Sequence, residues 1–255
     1  IGNEISYNDF CGIHLDESNN NTIIRNTIKD NSCGIELISS NGIAVYHNNF
    51  IGNTNQAIVT DSIDNKWNNG AEGNYWSNYI GLDNGSGGRV AGDGIGDTDL
   101  PAPPGPSSVD YYPLMEPWEP VKVFNVRWTM GAQSGVAYEI RTLSNSTRAS
   151  FKFNMTTRQI NFIITSGTSE SCNITIPRDL LDYNFTLLIN DIKKDYILTL
   201  NETHTSLYFT YNPGIYHIKI IGMRVVCDFG DLNRDGKVNI YDLRILARNY
   251  GKQIK

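Results

Sequence analysis

The chain has 255 residues, 40% of them hydrophobic and 11% aromatic, enough for a core and near the size at which chains divide into several domains. Its 21 Lys and Arg against 27 Asp and Glu leave a net charge of -6, which argues against nucleic acid as a partner, because a phosphate binder needs a basic surface. No apolar run approaches the ~18 residues of a membrane span, and the chain opens on Ile1 with no basic n-region or apolar h-region, which reads as a mature, trimmed or partial product.

Asn is over-represented: there are 30, of which 18 precede position 85. That first stretch repeats with a period of 22 residues. Ile13, Ile35 and Ala57 keep the step, as do Leu15, Leu37 and Val59, Ser18, Ser40 and Ser62, and Ile23, Val45 and Trp67. Gly12 and Gly34 precede the aliphatic pairs. A second motif, N-x-I-x-x-N-x-[IF], occurs at Asn3, Ile5, Asn8 and Phe10 and again at Asn21, Ile23, Asn26 and Ile28, with a degenerate copy at Val45, Asn48 and Phe50. Aliphatics at i and i+2 make short strands with one buried face. Asn suits the corners, because it tolerates left-handed backbone and bonds its own backbone at turns. Like side chains then stack ~4.8 Å apart in aliphatic and Asn ladders. The pattern predicts a right-handed parallel β-helix rather than an α-helix or a leucine-rich repeat.

The repeats "NEISYNDFCGIHLDES" and "NTIIRNTIKDNSCGIELISS" resemble those of the NosD-like group, which shares its fold with carbohydrate-binding proteins and sugar hydrolases. Residues 72–118, with "GNYWS", "GDGIGDT" and "VDYYPLM" in that order, resemble the C-terminal cap of the same group. The group is functionally mixed, so the resemblance speaks to fold more than to chemistry. Its name suggests copper, for which the sequence offers no Met/His cluster. About three and a half coils precede the cap and residue 1 enters in mid-repeat. The expectation is that further coils precede it, the alternative being an open end that pairs with another molecule.

The sequence divides into coils (1–82), a Gly/Asp/Pro-rich cap and linker (83–120), a β-sandwich (121–224) and a short C-terminal module (225–255). In the cap, Asp83, Asp93, Asp97 and Asp99 stand among six glycines over 83–99. Asp93, Asp97 and Asp99 are candidate ligands for Ca2+, against the plainer reading of a solvated turn. Trp67, Tyr75, Trp76 and Tyr79 are expected to plug the last coil. Pro101 to Pro106, then Pro113, Pro117 and Pro120, mark the boundary. Beyond it come "VKVFNVRW", "FKFNM", "INFIIT", "NITI", "FTLLIN", "DYILTL", "SLYFTY" and "IYHIKII", short alternating strands expected to number eight or nine, with "IPRDLL" as a helical turn. This portion resembles a module of archaeal secreted and surface proteins through "CNITIPRDLL" and "THTSLYFTY", which implies a spacer or interaction role. Sequons at Asn20, Asn84, Asn145, Asn154, Asn173, Asn184 and Asn201 point to a glycosylated, extracellular or cell-surface setting.

Near the end, "DLNRDGKVNIYD" has the form of an EF-hand-type calcium loop. Asp231, Asn233 and Asp235 offer side-chain oxygens, Gly236 the turn, Lys237 its carbonyl and Val238 an apolar anchor. Asn239 acts through water, and Asp242 closes the site. Asp in the last position, with "IYDLRILARNYGK" as an exiting helix and no entering helix, resembles a dockerin repeat. Dockerins carry two such repeats and one is present here, so docking to a cohesin-like partner stays open beside a loop that merely folds the terminus.

Cys11 and Cys33, one period apart, should stack as free thiols, the alternative being a disulfide with its β-carbons too far apart for good geometry. An oxidised Cys172–Cys227 pair is left open. His14 lies one coil from Glu36 on the outward side, with Asp16 nearby, a carboxylate-plus-His arrangement suited to acid–base work on a sugar chain or to plain solvation. His47, His204 and His217 have no partners at metal spacing. The leading expectation is a non-catalytic surface protein of structural or adhesive role, with a carbohydrate-binding type of β-helix and a calcium-dependent docking module. The alternatives are the C-terminal part of a polysaccharide lyase or glycoside hydrolase, and a self-assembling layer or filament subunit.

Overall fold

The 22-residue recurrence of aliphatic pairs builds coils, each contributing three short strands. The computed structural model describes residues 2–101, 108–128, 136–223 and 240–249. Its first nine strands are Glu4–Ser6 (β1), Cys11–Asp16 (β2), Thr22–Ile24 (β3), Thr27–Lys29 (β4), Cys33–Ile38 (β5), Ala44–Tyr46 (β6), Asn49–Ile51 (β7), Asn55–Thr60 (β8) and Tyr75–Trp76 (β9). They form three parallel ladders, β1-β4-β7-β9, β2-β5-β8 and β3-β6. Like side chains stack as the period requires, Ile13 on Ile35 on Ala57 and Leu15 on Leu37 on Val59, while Ile5 on Ile28 on Phe50 on Trp76 form a stack with steps of 23, 22 and 26 residues. Trp67 and Trp76 close the stack, Trp76 lying flat against Phe50 at 4.4 Å. Tyr79 packs on the same core, whereas Tyr75 turns to a separate cluster of Ile95, Leu114 and Trp118 in the cap. Gly34 sits where one coil crowds the next: a β-carbon there would lie 2.4 Å from the Gln56 carbonyl oxygen.

Among the coil asparagines that are described, only Asn20 takes the left-handed corner role expected of them; the other non-glycine positions of this kind are Tyr7, Glu17, Arg25, Asp30, Ser39, His47, Asp61 and Asp64, of which Glu17, Ser39 and Asp61, and Arg25 and His47, keep the coil period. The cost of most of these residues is offset by a backbone bond to the adjacent coil, for example Glu17 N–H to Ile38 and Arg25 N–H to His47. Asn instead runs inward in two ladders, Asn3-Asn26-Asn48-Asn74 and Asn8-Asn31-Asn53. The motif at Asn3 and Asn8 therefore stacks on Asn26 and Asn31, not on the Asn21–Asn26 copy that the spacing suggested. In each step the side-chain oxygen accepts both the backbone N–H and the amide of the Asn one coil earlier. For Asn48 and Asn26 these distances are both 3.0 Å. The amide of Asn48 also donates to the Ile23 and Tyr46 carbonyls, so with both Asn26 groups and the Asn74 side-chain oxygen one buried side chain bonds five backbone or side-chain groups.

Beyond the coils, Leu100–Pro101 (β10) and Val109–Asp110 (β11) pair in the cap. Ten strands follow: Val121–Trp128 (β12), Val136–Leu143 (β13), Thr147–Asn154 (β14), Gln159–Ser166 (β15), Glu170–Pro177 (β16), Asp182–Ile189 (β17), Ile192–Lys194 (β18), Ile197–Leu200 (β19), His204–Tyr211 (β20) and Gly214–Met223 (β21). They make two five-stranded antiparallel sheets, β12-β13-β16-β20-β19 and β14-β15-β21-β17-β18, on one shared core that includes Ile140, Ile164, Ile174, Leu207 and Ile220. β13 and β18 were not among the runs picked out by sequence; Glu139 and Arg141 interrupt the first and two lysines the second. "IPRDLL" makes a single turn in which the Leu180 and Leu181 N–H groups donate to Pro177. The exiting helix is present as Ile240–Asn249 (α1).

Asn48→Ala removes the bonding partner of five groups, so it should lower unfolding free energy by about 3 kcal/mol or more. Asn19→Ala removes an exposed bond to the Asn41 N–H and should cost under about 1 kcal/mol. Urea unfolding followed by circular dichroism separates the two; equal costs would contradict the inward-ladder account.

Candidate functional site

Two polar clusters stand out, one outward on the coils and one buried where coils, cap and sheets meet. On the outward face, β2 lies on β5 with Cys11 opposite Cys33 and His14 opposite Glu36. The Glu36 carboxylate is the hub: Oε2 is 2.9 Å from His14 Nδ1 and accepts the Cys11 thiol at 3.4 Å. The Cys33 thiol donates to its own strand, to the Ile35 carbonyl at 3.2 Å. Burial pushes both thiols above the ordinary cysteine range, and the neighbouring Glu36 charge adds to it. Both are therefore held protonated at neutral pH. The sequence placed His14 beside Glu36 correctly, and it stacked Cys11 on Cys33 as free thiols, which they are. It missed that Cys11 reaches the same carboxylate, although the shared period was the signal. Asp16 does not join: its register partner is Ile38, and no hydrogen bond or ion pair links it to His14 or Glu36. Hydrolysis of a glycosidic bond calls for two carboxyl groups flanking the sugar, and this cluster holds one.

The second cluster went unread in the sequence. Glu72 is 1% exposed, and its carboxylate accepts the Thr147 N–H at 2.6 Å and the Gly167 N–H at 3.3 Å, joining the last coil to both edges of a sheet hairpin. His47, which the sequence left without a partner, lies with Nε2 3.3 Å from Glu72 Oε2, near enough for charge attraction but without hydrogen-bond alignment. Its ring stacks on Trp118 at 5.3 Å, and Arg25 lies over the same indole at 5.4 Å. Asn49 grips the Trp118 backbone from both sides, at 2.7 and 3.1 Å. Asp110, fully buried, accepts from Asn74 N–H, the Trp76 indole and Tyr112 N–H. Burial pushes its carboxyl up to about 6 against the pull of those donors. Arg148 is buried too, its guanidinium donating to the Ser144, Ser146 and Glu119 carbonyls. Burial lowers its pKa from the usual arginine value. Because β11, β14 and the coil bottom come from distant stretches of chain, no local spacing announced this seam.

Most cap carboxylate oxygens are engaged by their own loop, while Asp97 Oδ1 is buried without a hydrogen-bond partner. Asp97 Oδ2 accepts the N–H groups of Asn84, Gly85 and Ser86, and Asp83 accepts those of Gly92 and Gly94. Asp99 is ion-paired with Arg89. Asp93 bonds the Ile95 N–H, and burial, with lesser contributions from Asp83 and Asp97, pushes it up to about 6. Among the described residues no three His, Cys, Asp or Glu side chains are placed to hold a metal ion. Asp231, Asn233, Asp235, Lys237 and Asn239 lie outside the described residues, as does Cys227; Asp242 falls on α1 with its side chain outside them. Cys172 is a free, fully buried thiol. Of the sequons, Asn20, Asn84, Asn154, Asn184 and Asn201 are exposed, while Asn145 and Asn173 are half-buried and the Asn145 amide donates to Glu170.

Residues 1–81 match the family model described as periplasmic copper-binding protein (NosD). No curated protein and no solved structure matches the chain. With the stacked coils, the match supports a β-helix family for the first third of the chain. Copper does not fit what the described residues offer. The nearest soft donors, Cys11 and Cys33, are held as thiols rather than thiolates, and Glu36 is committed to hydrogen bonds with Cys11 and His14.

Two outcomes follow for the seam. A carboxyl whose folded pKa is raised contributes stability that is full below its unfolded value of ~3.8 and is lost as pH rises through about 6. For Asp110 this amounts to about 3 kcal/mol between pH 4 and 7, with Asp93 acting in the same direction. Asp110→Asn should flatten roughly half of that slope in urea titrations across this range; an unchanged slope would refute the assignment. Glu72→Ala leaves the Thr147 and Gly167 amides unpaired and should cost about 3 kcal/mol. Hydrogen exchange should then quicken at Thr147 and Gly167 ahead of the strands they adjoin.

Proposed function

We propose that this chain is a non-catalytic structural or adhesive protein of the cell exterior, in which a β-helix and a two-sheet unit act as one block. The observation that carries it is the buried Glu72 carboxylate, which ties the last coil to β14 and the turn after β15 through backbone amides. With Asp83, Asp97 and Asp110 engaged in the same way, the carboxylates best placed for acid–base chemistry are occupied by main-chain N–H groups. On the outward coil face, the His14–Glu36 contact joins one histidine to one carboxylate. Exposed sequon asparagines and a solvation shell of Asn, Ser and Thr support the exterior setting, and no helix among the described residues is long and apolar enough to cross a membrane. In this reading the coils present a ladder surface to glycans, and the loop from Asp231 to Asp242 binds Ca2+ in the manner of a dockerin repeat, with a cohesin-like protein as its partner.

Isothermal titration of the full chain should show one Ca2+ site of EF-hand type, lost in Asp231→Ala and retained in Asp97→Asn. Retention in the first variant and loss in the second would move the metal to the cap. A panel of neutral and acidic polysaccharides should be bound without cleavage. Release of reducing ends or unsaturated products that disappears in Glu36→Gln would overturn the non-catalytic reading.

A further inference from the structure

Where the last coil meets the cap, a concavity of about 620 Å3 opens beside the outward face of β6. Ala44 and Tyr46 flank the core residue Val45, so strand alternation turns both outward, and Lys66 pairs with Ala44 in a parallel bridge one coil on. The cap contributes Tyr111, 49% exposed, just after β11. Its backbone is held on both sides: buried Asp110 accepts from Asn74 N–H and the Trp76 indole, and the Tyr112 carbonyl accepts the Gly73 N–H at 2.7 Å. Tyr46 is steadied by a T-shaped contact with the His47 ring at 5.2 Å. The side-chain oxygens of Asn68 and Asn69 are taken by the turn amides of Gly70, Ala71 and Glu72, which leaves their NH2 groups as unengaged donors. The Lys66 ammonium and the Tyr46 and Tyr111 hydroxyls likewise make no hydrogen bond or ion pair among the described residues.

We propose that this hollow binds a uronate unit of an acidic polysaccharide, an inference that rests on the reading of the coils as a glycan-presenting surface and gives that surface a site and a sugar class. Charge selects the class. In a chain of net charge -6 the lining holds a lysine and no Asp or Glu, whereas four other concavities of comparable size contain Asp83, Glu170, Asp97 and Glu4. The unengaged groups are an ammonium, two carboxamide NH2 groups and two phenol hydroxyls, a donor-rich set that suits a carboxylate and the hydroxyls of a sugar ring. A pyranose also presents a face of C–H groups, which packs on an aromatic ring as apolar surface does. Two tyrosines on fixed backbone offer such rings at little entropic cost. A nucleic acid, the other polyanion with rings to stack, is disfavoured by so acidic a protein.

Isothermal titration of the full chain in calcium-free buffer tests this, using hexamers of galacturonate and of mannuronate and the neutral oligomers made by reducing their carboxyls. At least one uronate hexamer should bind about tenfold tighter than its neutral counterpart, by a margin that shrinks as salt rises. Lys66→Gln should remove most of that margin and leave the neutral oligomer unchanged. Tyr111→Ala should weaken both about tenfold, whereas Tyr111→Phe, which keeps the ring, should lose less than about threefold. An unfolding midpoint equal to that of the wild type shows that each variant is folded. Lys193→Gln, on exposed β18, should change nothing. Uronate binding indifferent to both Lys66→Gln and Tyr111→Ala would overturn this site and leave the glycan reading standing. A neutral oligomer bound as tightly as the uronate would overturn the sugar class, and an equal loss in Lys193→Gln would reduce the effect to net charge and overturn the site. A chain that binds no saccharide, charged or neutral, would overturn the site and the glycan reading together.

Discussion

A coil stacked on a coil must satisfy the main-chain groups at its corners as well as along its strands, and a buried carboxamide is the side chain that does this from both sides. It accepts a backbone N–H from one coil and donates to carbonyls of the same and adjacent coils, with a like group waiting one coil on. Asn26, Asn31, Asn48 and Asn53 do this inside the solenoid. An Asp in their place would lack the donor, and an aliphatic would leave several groups unpaired at a cost well above its transfer gain. The aliphatic ladders supply most of the burial, but the Asn ladders set which residue lies on which.

The same device recurs with carboxylates where the repeat gives way. The coil bottom, the cap and the sheets meet at Glu72, Asp110, Asp83 and Asp97, each accepting backbone N–H groups from a segment remote or irregular. Low formal charge and dense carboxylate burial thus belong to one strategy, in which polar side chains are consumed by the main chain. This shapes the chemistry available to the protein. Amides close the approach to these carboxylates, and for Asp110 burial raises the carboxyl up to about 6. The outward His14–Glu36 pair is solvated and stands without a second carboxylate.

How far the sequence was legible depended on whether the signal was periodic. The stacking of Ile13 on Ile35, of Cys11 on Cys33 and of His14 on Glu36 followed from counting in steps of 22, because parallel in-register coils repeat side-chain position as well as type. The Asn role was half legible: ladders were expected at left-handed corners, but of the coil asparagines only Asn20 sits at one, and most corners are held by residues such as Glu17, Arg25, Ser39, His47 and Asp61. Corner geometry is set by hydrogen bonds to the next coil, which override the local preference of the residue. Most strands of the two-sheet unit were visible through alternation, and β18 was hidden by its lysines. His47 looked solitary because its partner Glu72 lies outside the repeat and interrupts the period.

The sequence by itself determined the elements and the repeat: the coil length, the aliphatic and thiol stacks, and most of the alternating strands beyond residue 121. These are properties of spacing, and spacing is preserved when a chain folds. Only the tertiary structure decided what each carboxylate does and how the coils are joined to the sheets. Those depend on pairs such as Glu72 with Thr147 and Gly167, or Asp110 with Asn74 and Trp76, in which the desolvation of a charge is repaid by amides far away in sequence. No local pattern encodes such a pair, because its two halves come together only once the cores on either side have formed.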